Sequence, residues 1–312
     1  MNAAARLWLG GVLLSGMLGC AGLPLPRIDE SSLAARVELT AVGFFPQEDH
    51  QCGPAALATV LQAAGVAVTP EELVAQVYLP ARQGSLQVEL LAATRRHARV
   101  PYLLEPQLDS VLREVAAGHP VLVLQNLGLS WLPVWHYAVV VGFDVPQREL
   151  LLRSGREPRA VLSLAEFERS WGLAQHWALL ITPLEQVPAT ADETRYLSAL
   201  AQLEVQQQFA VAARGYAAAL ARWPGSSAAR FGLGNSRFGL GEFVQAEQVF
   251  REVLAQQPTL GAAWNNLAMS LLEQQRWDEA HDAAQQAFAL GGVAAAAARA
   301  TLAEVRMRRA RR

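Results

Sequence analysis

The chain has 312 residues, of which 52% are hydrophobic and 17% are charged, so it can bury the cores of two domains and is too apolar to be wholly disordered. A net charge of −2 gives no basic field, and we expect no nucleic-acid partner. All 26 basic residues are arginine, which excludes chemistry that needs a lysine ammonium. Two cysteines, Cys20 and Cys52, are too few for a disulfide framework or a thiolate zinc site. We therefore expect neither a metal nor another cofactor.

The amino-terminal segment has the pattern of a secretory signal. One charge, Arg6, precedes an apolar run from Leu7 to Leu18 that is too short for a permanent membrane span. The sequence Met17-Leu18-Gly19-Cys20 resembles the lipobox of bacterial lipoproteins, in which the cysteine is lipidated and the peptide is cleaved before it. The alternative is an ordinary cleaved signal, or an uncleaved anchor, in which Cys20 is incidental.

The lipobox resemblance implies where the protein is located. Residues 1–19 would be a signal peptide, and residues 20–36, with a lipid on Cys20, would be a tether to a membrane of the bacterial cell envelope. Ala21 follows the cysteine where some bacteria read Asp as a retention signal, which favours the outer membrane and a protein that faces the periplasm.

A change of composition near residue 183 divides the rest of the chain. Residues 37–183 contain helical runs followed by short strand-like runs, which predicts an α+β domain, and residues 184–192 read as a linker. Helices are expected at Cys52–Ala64, from Thr69-Pro70-Glu71-Glu72 onward, at Ser85–His97 and after Ser163. Strands are expected at 100–104, 120–125, 136–143, 149–154 and 176–182.

Residues 193–294 repeat with a period of 34. Five columns keep their character: Tyr196, Arg230 and Trp264; Leu200, Gly234 and Ala268; Ala212, Ala246 and Ala280; Tyr216, Phe250 and Ala284; Pro224, Pro258 and Gly292. The pattern resembles the tetratricopeptide repeat, which implies an all-α solenoid of three repeats with a capping helix over 295–312. Its concave face would hold a peptide or a protein partner. The alternative is an Ala-rich helical bundle with accidental periodicity.

Cys52 occupies the start of a predicted helix. Gly53 and Pro54 follow it and lead into an apolar helical run, and the free amides at such a position favour a thiolate. We therefore expect a lowered thiol pKa and a nucleophilic role. The alternative is a small apolar residue that happens to start a helix.

A base for this thiol is expected at His136, which opens the strand-like run Tyr137-Ala138-Val139-Val140-Val141-Gly142. Together, Gln47, the Cys-Gly-Pro-Ala sequence and this His-containing strand resemble the papain-like cysteine peptidases that remove double-glycine leaders from bacteriocins. The resemblance covers about residues 40–182. It implies a papain-like fold in which Cys52 is the nucleophile, His136 the general base and Gln47 an oxyanion donor. Gln51 is the alternative donor, but it adjoins the nucleophile and would have to fold back on it.

The third catalytic position departs from that family. Its usual Asp falls at Ser154 on the return strand, and a hydroxyl can orient the imidazole but cannot stabilise imidazolium by charge. Asp144 lies at the far end of the strand and reads as a turn residue, whereas Glu157 is a closer substitute. Trp135 and Gln125 are expected to line the substrate cleft.

These observations predict a membrane-anchored envelope cysteine peptidase that cleaves an exported peptide or protein, with a repeat domain that recruits substrate or partner. The alternative from another class is a weak or inactive peptidase fold that binds peptides as an assembly lipoprotein, because the triad Asp is absent. A third possibility is acyl transfer or amidase chemistry by the same Cys-His pair.

Overall fold

The computed structural model describes residues 33–47 and 51–311. The predicted signal peptide, Cys20 and the tether up to residue 32 lie outside the described residues. The elements in chain order are β1 Arg36–Glu38, α1 Cys52–Ala63, α2 Pro70–Val77, a 3₁₀ turn Pro80–Arg82, α3 Gln87–Arg96, β2 Tyr102–Leu103, α4 Leu108–Ala116, β3 Val121–Asn126, β4 Trp135–Asp144, β5 Glu149–Ser154, β6 Glu157–Ser163, α5 Leu164–Gly172, β7 Ala178–Leu180, α6 Glu193–Val205, α7 Phe209–Arg222, α8 Ser227–Gly239, α9 Phe243–Gln256, α10 Gly261–Glu273, α11 Trp277–Ala289 and α12 Ala294–Ala310.

The strands form one antiparallel sheet in the order β2-β7-β3-β4-β5-β6, and β1 pairs with the Asp144 end of β4. Successive side chains along each strand point to opposite faces of the sheet, and both faces are apolar. Leu122 and Leu124 belong to the buried group that includes residues of α1 to α3, whereas Val121 and Val123 belong to the group that includes residues of α4 and α5. The α+β class predicted from the sequence is confirmed.

Local capping explains why α2 and α5 begin where the sequence predicts. Thr69 accepts a hydrogen bond from the Glu72 backbone N–H, and Glu72 returns one to the Thr69 backbone; Ser163 and Glu166 form the same box at α5. Four elements of the α+β domain were not predicted: β1, the 3₁₀ turn, α4 and β6. β1 starts inside the predicted tether and Leu33 packs against the core, so the domain begins a few residues before position 37.

The helical repeats pair as α6 with α7, α8 with α9 and α10 with α11, and α12 caps the array. The structure explains why Arg230 can occupy a column that holds aromatic residues. Arg230 donates through a guanidinium nitrogen to the carbonyl of Pro224 at 2.9 Å, and Trp264 donates through Nε1 to the carbonyl of Pro258 at 2.8 Å. The two side chains therefore make the same bond, six residues back, in successive repeats.

The junction between the α+β domain and the helical repeats (the seam) is closely packed. Tyr196, Leu200 and Leu203 of α6 belong to the same buried apolar group as the sheet residues Val123 and Val140. Tyr102 and Tyr196 face each other across the seam with ring centroids 6.1 Å apart. The first repeat and the α+β domain therefore share one core.

A buried carboxylate fastens the linker to the α+β domain. Glu114 on α4 has a fully buried side chain, and its Oε1 accepts hydrogen bonds from Thr190 N at 2.7 Å and Thr190 Oγ1 at 2.6 Å. His119 Nδ1 lies 2.8 Å from the other carboxylate oxygen. The segment predicted as a linker, 184–192, is thus held in place at its carboxyl end.

Within residues 33–47 and 51–311, no helix has the length and hydropathy that a membrane crossing requires.

Candidate active site

A cavity of about 860 Å³ opens where the first residue of α1 meets the beginning of β4. Gln47, Cys52 and His136 all line it, although 89 residues separate the first from the last in the sequence. β3 and β4 end their pairing here, at Asn126 and Trp135, and α1 packs its buried side on the sheet face that carries Leu124, Tyr137 and Val139. The fold therefore brings together the three side chains that the sequence analysis singled out.

Cys52 is the first residue of α1, and its thiol is not in a disulfide. Burial raises the pKa of this thiol, while backbone hydrogen bonds at Tyr137, Gly53 and Cys52 itself lower it in part. The net direction is upward, so the expected lowering of the thiol pKa is wrong for the free protein. The helix terminus supplies amides but does not offset the loss of water around the sulfur.

His136 Nε2 lies 2.8 Å from Ser154 Oγ, within hydrogen-bond distance. Burial lowers the pKa of His136. Among the described residues, which include Cys52, His136 and Ser154, no hydrogen bond joins the Cys52 thiol to the His136 imidazole. Both pKa shifts favour the neutral forms of the thiol and the ring.

Two hydrogen bonds, one from the backbone and one from the side chain, hold Gln47 in place. Its backbone N–H donates to the Gly155 carbonyl at 2.9 Å, and its Nε2 donates to the Tyr137 carbonyl at 3.2 Å. One N–H of the amide therefore fixes the side chain to the strand that carries His136, and the second N–H is left for another acceptor. Gln51 is only the residue before α1 and does not line the cavity.

The structure separates the remaining predicted site residues. Trp135 lines the cavity and is 54% exposed. Gln125 does not line it: the side chain is 1% exposed, and its Nε2 donates to Ser170 Oγ at 2.7 Å, so it stabilises the contact between β3 and α5. Glu157 is the strand partner of Ser154, but it is exposed and is absent from the cavity wall. It does not replace the missing Asp.

Several polar residues of the cavity, among them Ser85, Arg82 and Arg156, were missed by sequence reasoning. The Ser85 hydroxyl is buried without a hydrogen-bond partner and lies so close to Gly53 that a Cβ there would clash with it. Arg82, at the end of the 3₁₀ turn, and Arg156, in the turn after β5, also line the cavity. No local pattern marks these residues, because tertiary folding alone brings their loops to the cavity.

Comparison with known proteins agrees with this architecture. The sequence profile of the Peptidase C39 like family matches residues 39–176, and that of the tetratricopeptide repeat matches residues 206–268. The chain contains a Peptidase C39-like domain followed by tetratricopeptide repeats. The fold class and the family resemblance predicted from the sequence are thereby confirmed, and the C39-like domain carries the cavity.

Three solved structures resemble the C39-like part. They are a Bacillus anthracis protein described as a C39-like peptidase (18% identity, TM-score 0.41, 48% of this chain and 98% of that chain); the peptidase domain of Streptococcus ComA, a bi-functional ABC transporter of a quorum sensing pathway (19%, 0.37, 46% and 98%); and a double glycine motif protease from an AMS/PCAT transporter in complex with the leader peptide (21%, 0.35, 49% and 96%). No curated protein matches the chain.

Proposed function

We propose that this protein is a cysteine peptidase that hydrolyses a peptide bond of an exported peptide or protein in the cavity of the C39-like domain. The observation that carries the proposal is the convergence of Cys52, His136 and Gln47 on one cavity, with the His136 ring held at Nε2 by Ser154. A thiol, an oriented imidazole and an amide donor are the groups that acyl transfer through a covalent intermediate requires.

The mechanism follows from which ring nitrogen is engaged. Because Ser154 bonds Nε2, Nδ1 is the nitrogen that accepts the thiol proton. The thiolate attacks the scissile carbonyl, and His136 then donates the proton to the leaving amine, which departs as the acyl-enzyme forms. Water, deprotonated by the same nitrogen, releases the acyl group. The second N–H of Gln47 and the Cys52 backbone N–H stabilise the oxyanion, each donor being worth about 3 kcal/mol.

Burial of Cys52 and His136 affects the proton transfer between them. Formation of the thiolate and imidazolium is opposed by burial of both groups. Proton transfer is therefore coupled to substrate binding and attack, rather than completed in the free enzyme.

A second function is favoured by the same observation. A buried neutral thiol, and an imidazole that bonds a hydroxyl instead of a carboxylate, also suit a domain that binds peptides and cleaves them slowly or not at all. Under that proposal the cavity and the repeats form an assembly or scaffolding protein. Acyl transfer or amidase chemistry uses the same residues and differs only in its substrate.

The proposal includes the two ends of the chain. Lipidation of Cys20 would hold the protein on the envelope membrane, with the outer membrane and the periplasmic side favoured by Ala21. The repeat array supplies a concave surface for a substrate or a protein partner, which is the usual role of such repeats.

Cleavage of a complex peptide mixture tests the proposal. The full chain with Cys20→Ser is incubated with a proteome-derived peptide library, and new termini are identified by mass spectrometry. We expect termini that are absent with Cys52→Ser and reduced at least about 100-fold with His136→Ala. Library peptides that are retained but left intact would instead support the binding function.

A further inference from the structure

The charged side chains around the cavity have one sign. Arg82 and Arg156 line it from two different loops, and its described lining contains no Asp or Glu. Both guanidinium groups are exposed, and in the part of the chain that the structure describes neither has an ion-pair partner. Among the residues that the structure describes, the formal charges around the cavity are therefore positive.

Apolar groups strengthen this field. Leu124, Pro133, Val134 and Leu173 line the cavity together with the two arginines. A cleft lined by one sign of charge and by low-dielectric walls concentrates ions of opposite charge. A planar guanidinium suits a carboxylate because it can donate two parallel hydrogen bonds to it.

We propose that Arg82 and Arg156 select a substrate with a carboxylate close to the scissile bond. This inference rests on the proposed peptidase function and adds the substrate class to it. The carboxylate is either an acidic side chain beside the cleaved bond or the carboxyl terminus of the peptide, and both present the same group to the arginines.

Alkylation of Cys52 tests the inference without any known substrate. Iodoacetate carries a carboxylate on its reactive carbon, and iodoacetamide is its neutral counterpart. The two rate constants are measured on the full chain with Cys20→Ser, in which Cys52 is the single thiol. Their ratio is compared with that of a neutral reference thiol, N-acetylcysteinamide.

We expect the ratio of iodoacetate to iodoacetamide rates to exceed that of the reference thiol by about tenfold at low ionic strength. It should fall in 0.5 M salt, because salt screens exposed charges. Arg82→Gln and Arg156→Gln should each lower the ratio, and the double variant should abolish the excess. Arg148→Gln is the matched control, because this exposed arginine lies in the turn at the other end of β4.

A ratio equal to that of the reference thiol overturns the inference. An excess that persists in the double variant also overturns it. Neither result bears on whether His136 and Cys52 cleave peptides, so the proposed function stands or falls separately.

Protection experiments distinguish the two sources of the carboxylate. Acetyl-Ala-Glu-Ala-Ala-amide, its Gln analogue and the Gln analogue with a free carboxyl terminus are compared for their ability to slow iodoacetamide labelling of Cys52. Protection by the Glu peptide alone identifies an acidic side chain, and protection by the free-terminus peptide alone identifies the carboxyl terminus. Equal protection by all three, or by none, overturns the assignment of substrate class.

Discussion

Ser154 Oγ and His136 Nε2 lie 2.8 Å apart, and a hydroxyl can take either side of that hydrogen bond. If Ser154 accepts, the ring proton is on Nε2 and Nδ1 is a base. If Ser154 donates, the proton is on Nδ1 and the ring cannot accept the thiol proton there. A carboxylate at this position could only accept, so it would fix the productive tautomer and also stabilise imidazolium.

Ser154→Asp is therefore expected to raise activity. A hydrogen bond to a charged group is worth about 1 kcal/mol more than a neutral one, which corresponds to a gain of roughly fivefold to tenfold. The measurement is the iodoacetamide rate at pH 6 together with the rate of peptide cleavage. Ser154→Asn separates the two effects, because an amide oxygen can accept from Nε2–H but adds no charge. Equal rates in the wild type and the Asp variant would argue against a role for Ser154 in orienting the ring.

The alkylation of Cys52 should depend on pH as a buried thiol does. Burial raises the pKa of Cys52 and lowers the pKa of His136, so the thiolate becomes abundant only above the ordinary thiol value of ~8.5. We expect the iodoacetamide rate of the Cys20→Ser chain to rise with a midpoint above that value, and the alkaline limb to change little in His136→Ala. A rapid plateau below pH 7 that disappears with His136 would show a preformed thiolate and imidazolium instead.

Gln47→Ala should slow catalysis without loosening peptide binding to the same degree. The side chain donates one N–H to the Tyr137 carbonyl, and we assign the other to the oxyanion. Loss of such a donor typically costs about 3 kcal/mol, or roughly 100-fold in kcat. Steady-state kinetics on a cleaved peptide provide the measurement, and Gln51→Ala is the control on the neighbouring amide. If Gln51→Ala proved the more damaging, the oxyanion donor would have to be reassigned.

Glu114→Gln is expected to destabilise the protein by about 3 kcal/mol, because it disturbs a buried charge that His119 and Thr190 satisfy. Burial raises the pKa of Glu114, but the hydrogen bonds from His119 and Thr190 more than offset it, so the pKa is lowered overall. The bond to Glu114 raises the pKa of His119.

The pH dependence of this destabilisation follows from the opposite directions of the Glu114 and His119 pKa shifts. A lowered carboxyl pKa gives stability that is complete above about pH 4.3 and is lost as pH falls further, and a raised imidazole pKa gives stability that is complete below about pH 6.5 and is lost as pH rises. The difference in Tm between wild type and Glu114→Gln should be largest between those values. Glu157→Gln, an exposed carboxylate, should show no such maximum. A difference that stays constant from pH 4 to 9 would contradict the assigned linkage.

Truncation after Pro183 should destabilise the C39-like domain. The cut removes Tyr196, Leu200 and Leu203, which complete the core of that domain. A fragment that continues through the first repeat to Gly225 should regain most of the stability. Thermal unfolding of the two fragments and the full chain provides the comparison. An intact, cooperative transition in the shorter fragment, at the Tm of the full chain, would show that the cores are independent.

Local chemistry explains which features could be predicted from the sequence. α1, the capping boxes at Thr69 and Ser163 and the β4–β5 hairpin depend on neighbouring residues, and that hairpin brings Ser154 within hydrogen-bond distance of His136. The helix α4 has neither a side-chain cap at its start nor a proline in its first turn, the signals that marked α1, α2 and α5.

Other features depend on contacts that are distant in sequence. Gln125 has the same alternation as Val123, and that face of β3 is covered by α5, so it is buried instead of facing the cavity. The direction of the Cys52 pKa shift depends on how much chain covers the sulfur, which a helix-start pattern does not reveal.

The shared core of the seam has a consequence for how a partner would be used. Since the tilted rings of Tyr102 and Tyr196 pack together and Thr190 is hydrogen-bonded to Glu114, the first repeat cannot swing freely about its junction. For a long polypeptide already bound to the repeat array, binding in the cavity would then be an intramolecular step. Its effective concentration at the cavity would be set by the length of polypeptide between the two contact points. If the array held such a polypeptide, this fixed separation would set how many residues lie between the held segment and the bond placed at Cys52.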